Sequence, residues 1–208
     1  MGIFNPNNGF FSTLSRCVDV VGLSLIWFFL CLPVVTIGPA TAALYRTVVA
    51  IRYEESDEVF VRYFRSFREN LKVGIPAGVL AVVLGVVLFF GFEIMYAHRG
   101  SGLEALTYAI YYIAMILPLG TACYLFPLLG RFTFTVKQLY ITALQLALAH
   151  LPTTLIVVAV TGVSMIFMSQ KLWAIFFMPY LMSVITAAFL ERVFRKHMPG
   201  DGEKTTES

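Results

Sequence analysis

The sequence predicts an all-α integral membrane protein: five transmembrane helices, two cytoplasmic interfacial amphipathic helices and a parallel internal repeat. Composition and run length carry that prediction. The 208 residues are 59% hydrophobic and 13% charged, with a mean hydropathy of +0.81. Soluble domains lie near ~45–50% apolar and ~25% charged. Five runs approach the about 20 mainly apolar residues that a span requires, at 18–38, 73–97, 104–129, 151–169 and 172–191. They make residues 1–198 one membrane domain, and PGDGEKTTES, from Pro199, reads as a flexible cytoplasmic tail.

The first run closes on CLPVVTIGPATAALY, residues 31–45. Proline removes a backbone donor and clashes with the preceding turn, so Pro33 loosens the end of span one. Gly38-Pro39 then stops that helix, and proline in a first turn starts another carrying Tyr45, Arg46 and Arg52. Thr36 and Thr41 stand where their hydroxyls can meet freed backbone groups. The stretch is therefore expected to be a corner where a span becomes a surface helix. Arg16, the apolar run and Ala40-Thr41-Ala42 also resemble a cleaved secretory signal, but the run exceeds the usual 7–15 residues or so, and a retained span is expected.

The next segment, SDEVFVRYFRSFRENLK at 56–72, reads as an interfacial helix capped by Ser56. Phe60, Phe64, Phe67 and Leu71 fall on one stripe with Tyr63 beside them, and Arg62, Arg65, Arg68 and Lys72 fall opposite. With Ser66 and Asn70 these basic residues form a candidate cytoplasmic docking face. Ile75-Pro76 is expected to hinge this helix against span two. Span three is long and broken by Pro118 and Pro127. Its end supplies Phe126, Pro127 and Arg131, which join Pro33, Thr36, Gly38, Pro39, Thr41 and Tyr45 as a candidate corner or gate.

A second surface helix, TFTVKQLYITALQLALAHLP, opens with Thr135 and Gln138 spaced as a capping box, and Leu151-Pro152 leads into span four. Ser169, Gln170 and Lys171 separate spans four and five. Each half thus reads span, surface helix, proline, span, which is the basis for the repeat. Twelve of the 15 Lys and Arg fall on one side of this layout, leaving Arg16, Arg99 and Lys171 on the other. The positive-inside rule then puts the N-terminus outside and the C-terminus in the cytoplasm.

Chemistry-bearing patterns are few. Cys17, Cys31 and Cys123 lack metal-ligand spacing, and no phosphate loop or nucleophile elbow stands in the chain, so neither cofactor nor metal is expected. Asp19, Glu93, His98, Arg99, Glu104 and His150 all fall near predicted span ends. Tyr108, Tyr111 and Tyr112 read as packing residues, with a sugar-binding face as the alternative. The bilayer is the expected partner, and nucleic acid is not.

The blocks LPVVTIGPATAALY, RYFRSFRENLK, FPLLGRF and ALAHLP resemble those of the YesL-like bacterial membrane proteins, in the family's order. Gly130 stands where the family often has alanine, and Ala149 where it often has arginine. The resemblance implies a plasma-membrane protein, mainly of Gram-positive bacteria, whose genes lie beside sugar ABC-importer permeases. It supplies no catalytic residues. The expected function is a non-enzymatic accessory to carbohydrate ABC import, with a stand-alone small-molecule transporter or channel as the alternative.

Overall fold

The computed structural model describes residues 9–53, 58–97 and 104–197. Ser56, His98, Arg99 and the 199–208 tail lie outside them. Among the described residues the fold is all helix: α1 (Gly9–Cys31), α2 (Ile37–Tyr53), α3 (Val59–Ala97), α4 (Glu104–Arg131), α5 (Val136–Ala149), α6 (Leu151–Gln170) and α7 (Met178–His197). Short 3-10 turns at Val34–Thr36 and Leu172–Phe176 join α1 to α2 and α6 to α7. Among the described residues four segments are long and apolar enough to cross a membrane: Val34–Tyr53, Val59–Met95, Leu106–Arg131 and Leu151–Gln170. This fits a multi-pass membrane protein. The run predicted as span one ends as a helix at Cys31, and the run predicted as span five divides into a 3-10 turn and the start of α7.

The corner after α1 forms as its residues dictate. Pro33 is exposed at the N-cap of the 3-10 turn, and the Phe29 carbonyl accepts from the Leu32 amide at 3.3 Å. The Thr36 hydroxyl reaches back to the carbonyls of Leu30 and Pro33. Pro39 sits in the first turn of α2, where its missing donor costs nothing.

The helix that follows departs from expectation. It is not a surface helix but the most enclosed one in the molecule, buried from Gly38 to Ala50 apart from Thr41. One side of α2 joins Leu23, Val59 and Tyr63 in a cluster with α1 and α3. The other side puts Ala42, Tyr45 and Val49 into the larger core built from α4, α5, α6 and α7.

Glycine makes this enclosure feasible. A methyl group on Gly38 would overlap the backbone carbonyl oxygen of Gly74, and Gly38 also lies against Gly78. Gly74 and Gly78 form a small-xxx-small pair on α3, the arrangement that lets helix backbones touch in a membrane. On the far side, a Cβ on Gly130 of α4 would stand 2.5 Å from the Ala42 carbonyl oxygen. Thus α2 is held between two backbones at distances that exclude any side chain.

The same contact explains α3. The interfacial helix and span two are one continuous 39-residue helix, with Pro76 inside it rather than at a hinge. Gly74 and Gly78 flank that proline and are both pressed onto α2, so the helix is clamped on each side of its weakest point. A helix of this length runs about 58 Å, nearly twice the ~30 Å hydrocarbon core. Its apolar half, from Val79 to Ile94, exposes Val83, Val86, Val87, Phe89, Phe90 and Ile94. The proline before α6 behaves as expected: α5 stops at Ala149 and α6 starts with Pro152 in its first turn. The capping box of Thr135 and Gln138 is also present.

Tyr108 and Tyr111 donate to the carbonyls of Met95 and Leu88, so they brace α4 against α3. That is the packing role for these two, and the side chain of Tyr112 lies outside the described residues.

The glycine contacts yield a test. Gly38→Ala and Gly130→Ala should each destabilise the fold by about 1–3 kcal/mol or more, the usual range for overpacking. Gly85 and Gly162 have nothing within 4 Å, so alanine there should be neutral or gain up to about 1 kcal/mol of helix propensity. Denaturant unfolding in detergent, followed by far-UV circular dichroism, would separate the two pairs. Equal stability of all four variants would contradict the packing described.

Candidate functional site

Two features converge on the middle of α2: a buried charged cluster and a cavity. Tyr45, Arg131 and Glu191 come from α2, α4 and α7. The Tyr45 hydroxyl donates to Glu191 Oε1 at 3.1 Å, and Arg131 Nη1 pairs with Glu191 Oε2 at 3.2 Å. Glu191 is only 2% exposed. A carboxylate there is tolerable because a cation and a hydroxyl compensate it. Local sequence places each group: Arg131 ends α4, where a cation suits the helix C-terminus. Glu191 follows the small and polar positions Ser183, Thr186 and Ala187 on α7's buried face.

One or two turns away lies a cavity of about 230 Å³. α1 contributes Trp27, α2 contributes Thr41 and Tyr45, and α4 contributes Leu119, Cys123, Phe126 and Pro127. α6 adds Thr161 and Met165, and α7 adds Ser183 and Thr186. The Trp27 indole donates to the Thr41 hydroxyl at 3.1 Å, so Thr41 meets a side chain rather than the backbone groups expected from sequence. Cys31 and Cys123 are free and half-buried. No group of His, Cys, Asp and Glu among the described residues is arranged to hold a metal.

The predicted corner or gate residues separate into three groups. Thr41, Tyr45, Phe126 and Pro127 line the cavity, and Arg131 joins the charged cluster beside it. Gly38 and Pro39 sit at the α2–α3 contact. Pro33 and Thr36 stay at the turn, away from both. Sequence reading missed Trp27, Thr161, Ser183, Thr186 and Glu191. Glu191 stands at the last position of the predicted fifth span, where the sequence gives it no assigned role. The available signal was its position among Ala187, Leu190 and Phe194, which share one helix face with it.

The docking face also needs correction. Arg65, Arg68 and Lys72 are exposed and Arg62 is half-buried, as a face would require. Ser66 and Asn70, however, are buried at 5% and 1%. They belong to an inward stripe with Val59, Tyr63, Gly74 and Ala77, while Phe60 and Phe64 are exposed. At 100° per residue that stripe lies roughly a quarter turn from the predicted aromatic one. Asn70 Nδ2 donates to the Ser66 carbonyl at 2.9 Å, and the Tyr63 hydroxyl donates to the Ala40 carbonyl at 3.2 Å. On α5, Tyr140 donates to the Ala77 carbonyl at 2.8 Å, and burial raises its phenol above the ordinary value.

The family model described as "Protein of unknown function, DUF624" matches residues 20–92. No curated protein and no solved structure matches the chain. The matched residues hold the second half of α1, all of α2 and most of α3, which include the Gly38, Gly74 and Gly78 contact.

Removing one partner of the buried pair leaves the other charge uncompensated, typically at a cost of about 3–5 kcal/mol. Arg131→Met should therefore destabilise strongly, and adding Glu191→Gln should recover much of the loss. Tyr45→Phe should cost about 1.5–3 kcal/mol, the worth of one hydrogen bond to a charged group. Urea midpoints of the three variants in detergent would decide this. A double variant no more stable than Arg131→Met would show that the two side chains are not coupled.

Proposed function

We propose that this chain is a non-catalytic YesL-like accessory subunit of a carbohydrate ABC importer in the plasma membrane. In this reading five helices span the bilayer, with α1 and α7 joining α3, α4 and α6. The N-terminus is outside, the C-terminus is cytoplasmic, and α1–α2–α3 and α4–α5–α6 are the two repeat units. The bond to sugar uptake rests on the resemblance of the sequence blocks. The match over residues 20–92 supports that resemblance, though not sugar uptake itself, by covering the most specific block, LPVVTIGPATAALY, and the basic helix after α2.

The observation that carries the partner-binding role is the first part of α3. Its inner stripe is fixed to α2, so Arg65, Arg68 and Lys72 are presented on a rigid helix beside exposed Phe60 and Phe64. Aromatic and basic residues on a fixed surface suit docking against an acidic face of a permease subunit. The stand-alone transporter reading is favoured by the cavity next to Glu191. Against sugar as its cargo, the lining is almost wholly apolar, and a polyhydroxylated ligand needs several convergent polar groups.

Affinity purification from native membranes in mild detergent should recover a sugar permease with the wild-type chain. Exposed charge pairs contribute roughly 0.2–1 kcal/mol each, so reversing Arg65, Arg68 and Lys72 to glutamate should reduce recovery about tenfold. Absence of any permease, or undiminished recovery with the reversed variant, would count against the proposal. Sugar uptake by purified protein alone in proteoliposomes would favour the transporter instead.

A further inference from the structure

A groove of about 310 Å³ runs along another side of α4. Its floor extends from Leu117 to Leu125, about 12 Å of helix. One wall is Ala81 and Leu84 of α3, and the other is Ile141 and Leu144 of α5. The hydroxyls within it are already used: Tyr140 donates to the Ala77 carbonyl at 2.8 Å, and Thr121 to the Leu117 carbonyl at 2.8 Å. A polyhydroxylated or charged guest would find no convergent polar groups there. An alkyl chain needs none.

Shape and access narrow the occupant further. Leu84, Ile141 and Leu144 are exposed, and α3 and α4 are both long and apolar enough to cross a membrane, so the groove opens to lipid. A cavity of ~150 Å³ already holds benzene-sized guests. A partner helix, about 10–12 Å across, does not fit between walls that meet where Tyr140 bonds Ala77. One end of the groove is polar. α5 runs back along α4, with Ala147 beside Gly120, so α5 begins at the Leu125 end, near Arg131 where the apolar run of α4 stops. Lys137 in that first turn is exposed and has no ion-pair or hydrogen-bond partner among the described residues. At 100° per residue it lies within about 40° of Ile141 and Leu144, on the groove side of α5.

We propose that the groove is a phospholipid site. One acyl chain lies along α4 between α3 and α5, and the lipid phosphate pairs with Lys137 at the membrane surface. The ester and headgroup stay outside the groove, so nothing polar is buried. The apolar length and the single cation at its end match the two parts of an anionic phospholipid.

Full-length protein in mild detergent is incubated with phosphatidylglycerol carrying a diazirine midway along one acyl chain, irradiated and digested, and the adducts are mapped by mass spectrometry. The proposal expects saturable labelling concentrated at Leu117–Leu125 and Ile141–Leu144. Ala81→Leu, which fills the groove, should abolish it. Lys137→Gln, at an exposed position, should raise the half-saturating lipid concentration about fivefold, the worth of one lysine at a lipid surface. Helical circular dichroism reports whether each variant is folded, and Lys137→Gln remains decisive if Ala81→Leu is not. Labelling that is absent, that never saturates, that spreads evenly over exposed residues such as Val87 and Val163, or that is unchanged in Lys137→Gln would overturn the site.

Discussion

The contact of Gly38 with Gly74 and Gly78 is the constraint on which the rest of the structure depends. It brings two helix backbones together where no side chain fits, and it fixes α2 against α3 at one register. From there α2 can meet α4 through Ala42 and Gly130, and both of its sides become core. The register in turn puts Tyr45 opposite Arg131 and Glu191, and Thr41 opposite Trp27. The charged cluster and the cavity are thus consequences of how closely α2 is held.

This is also a molecule whose polarity is arranged for lipid. Its buried set includes Ser24, Thr47, Ser66, Asn70, Thr154, Ser183 and Glu191, while Val87, Phe90, Ile113, Val163 and Ile166 are exposed. Water would drive the second group inward. In a bilayer, apolar side chains gain little by leaving lipid, and helices associate through small residues, close packing and internal hydrogen bonds. Thr154 shows the pattern: it lies against Gly120, and its hydroxyl meets the Ala147 and His150 carbonyls where α5 turns into α6.

How much was legible in the sequence follows from that polarity. The helical class, the Pro33 corner, the capping box at Thr135 and the break before Pro152 came from local rules, and those rules operate in any solvent. The errors arose where the inward face had to be chosen. Phe60 and Phe64, expected on a stripe lying in the membrane interface, are exposed, but nothing local marks Ser66, Asn70 and Gly74 as the inward positions of α3. Likewise Arg46 and Arg52 made α2 look like a surface helix, although Arg46 is buried at 8% exposure. The cavity residues Thr41, Tyr45, Phe126 and Pro127 were found through their prolines and their specific blocks. Trp27, Thr186 and Glu191 were not, since only the fold brings α1, α2 and α7 together.

The central claim is that α2 is an enclosed core helix rather than one wetted along a basic face. Cysteine scanning of positions 42–50 in a background lacking Cys17, Cys31 and Cys123, with a small water-soluble maleimide, tests it most directly. The account predicts that none of these positions reacts in the native protein, that all react after denaturation, and that a cysteine at exposed position 52 reacts in both states. A native labelling stripe recurring every three to four residues through position 46 would contradict it.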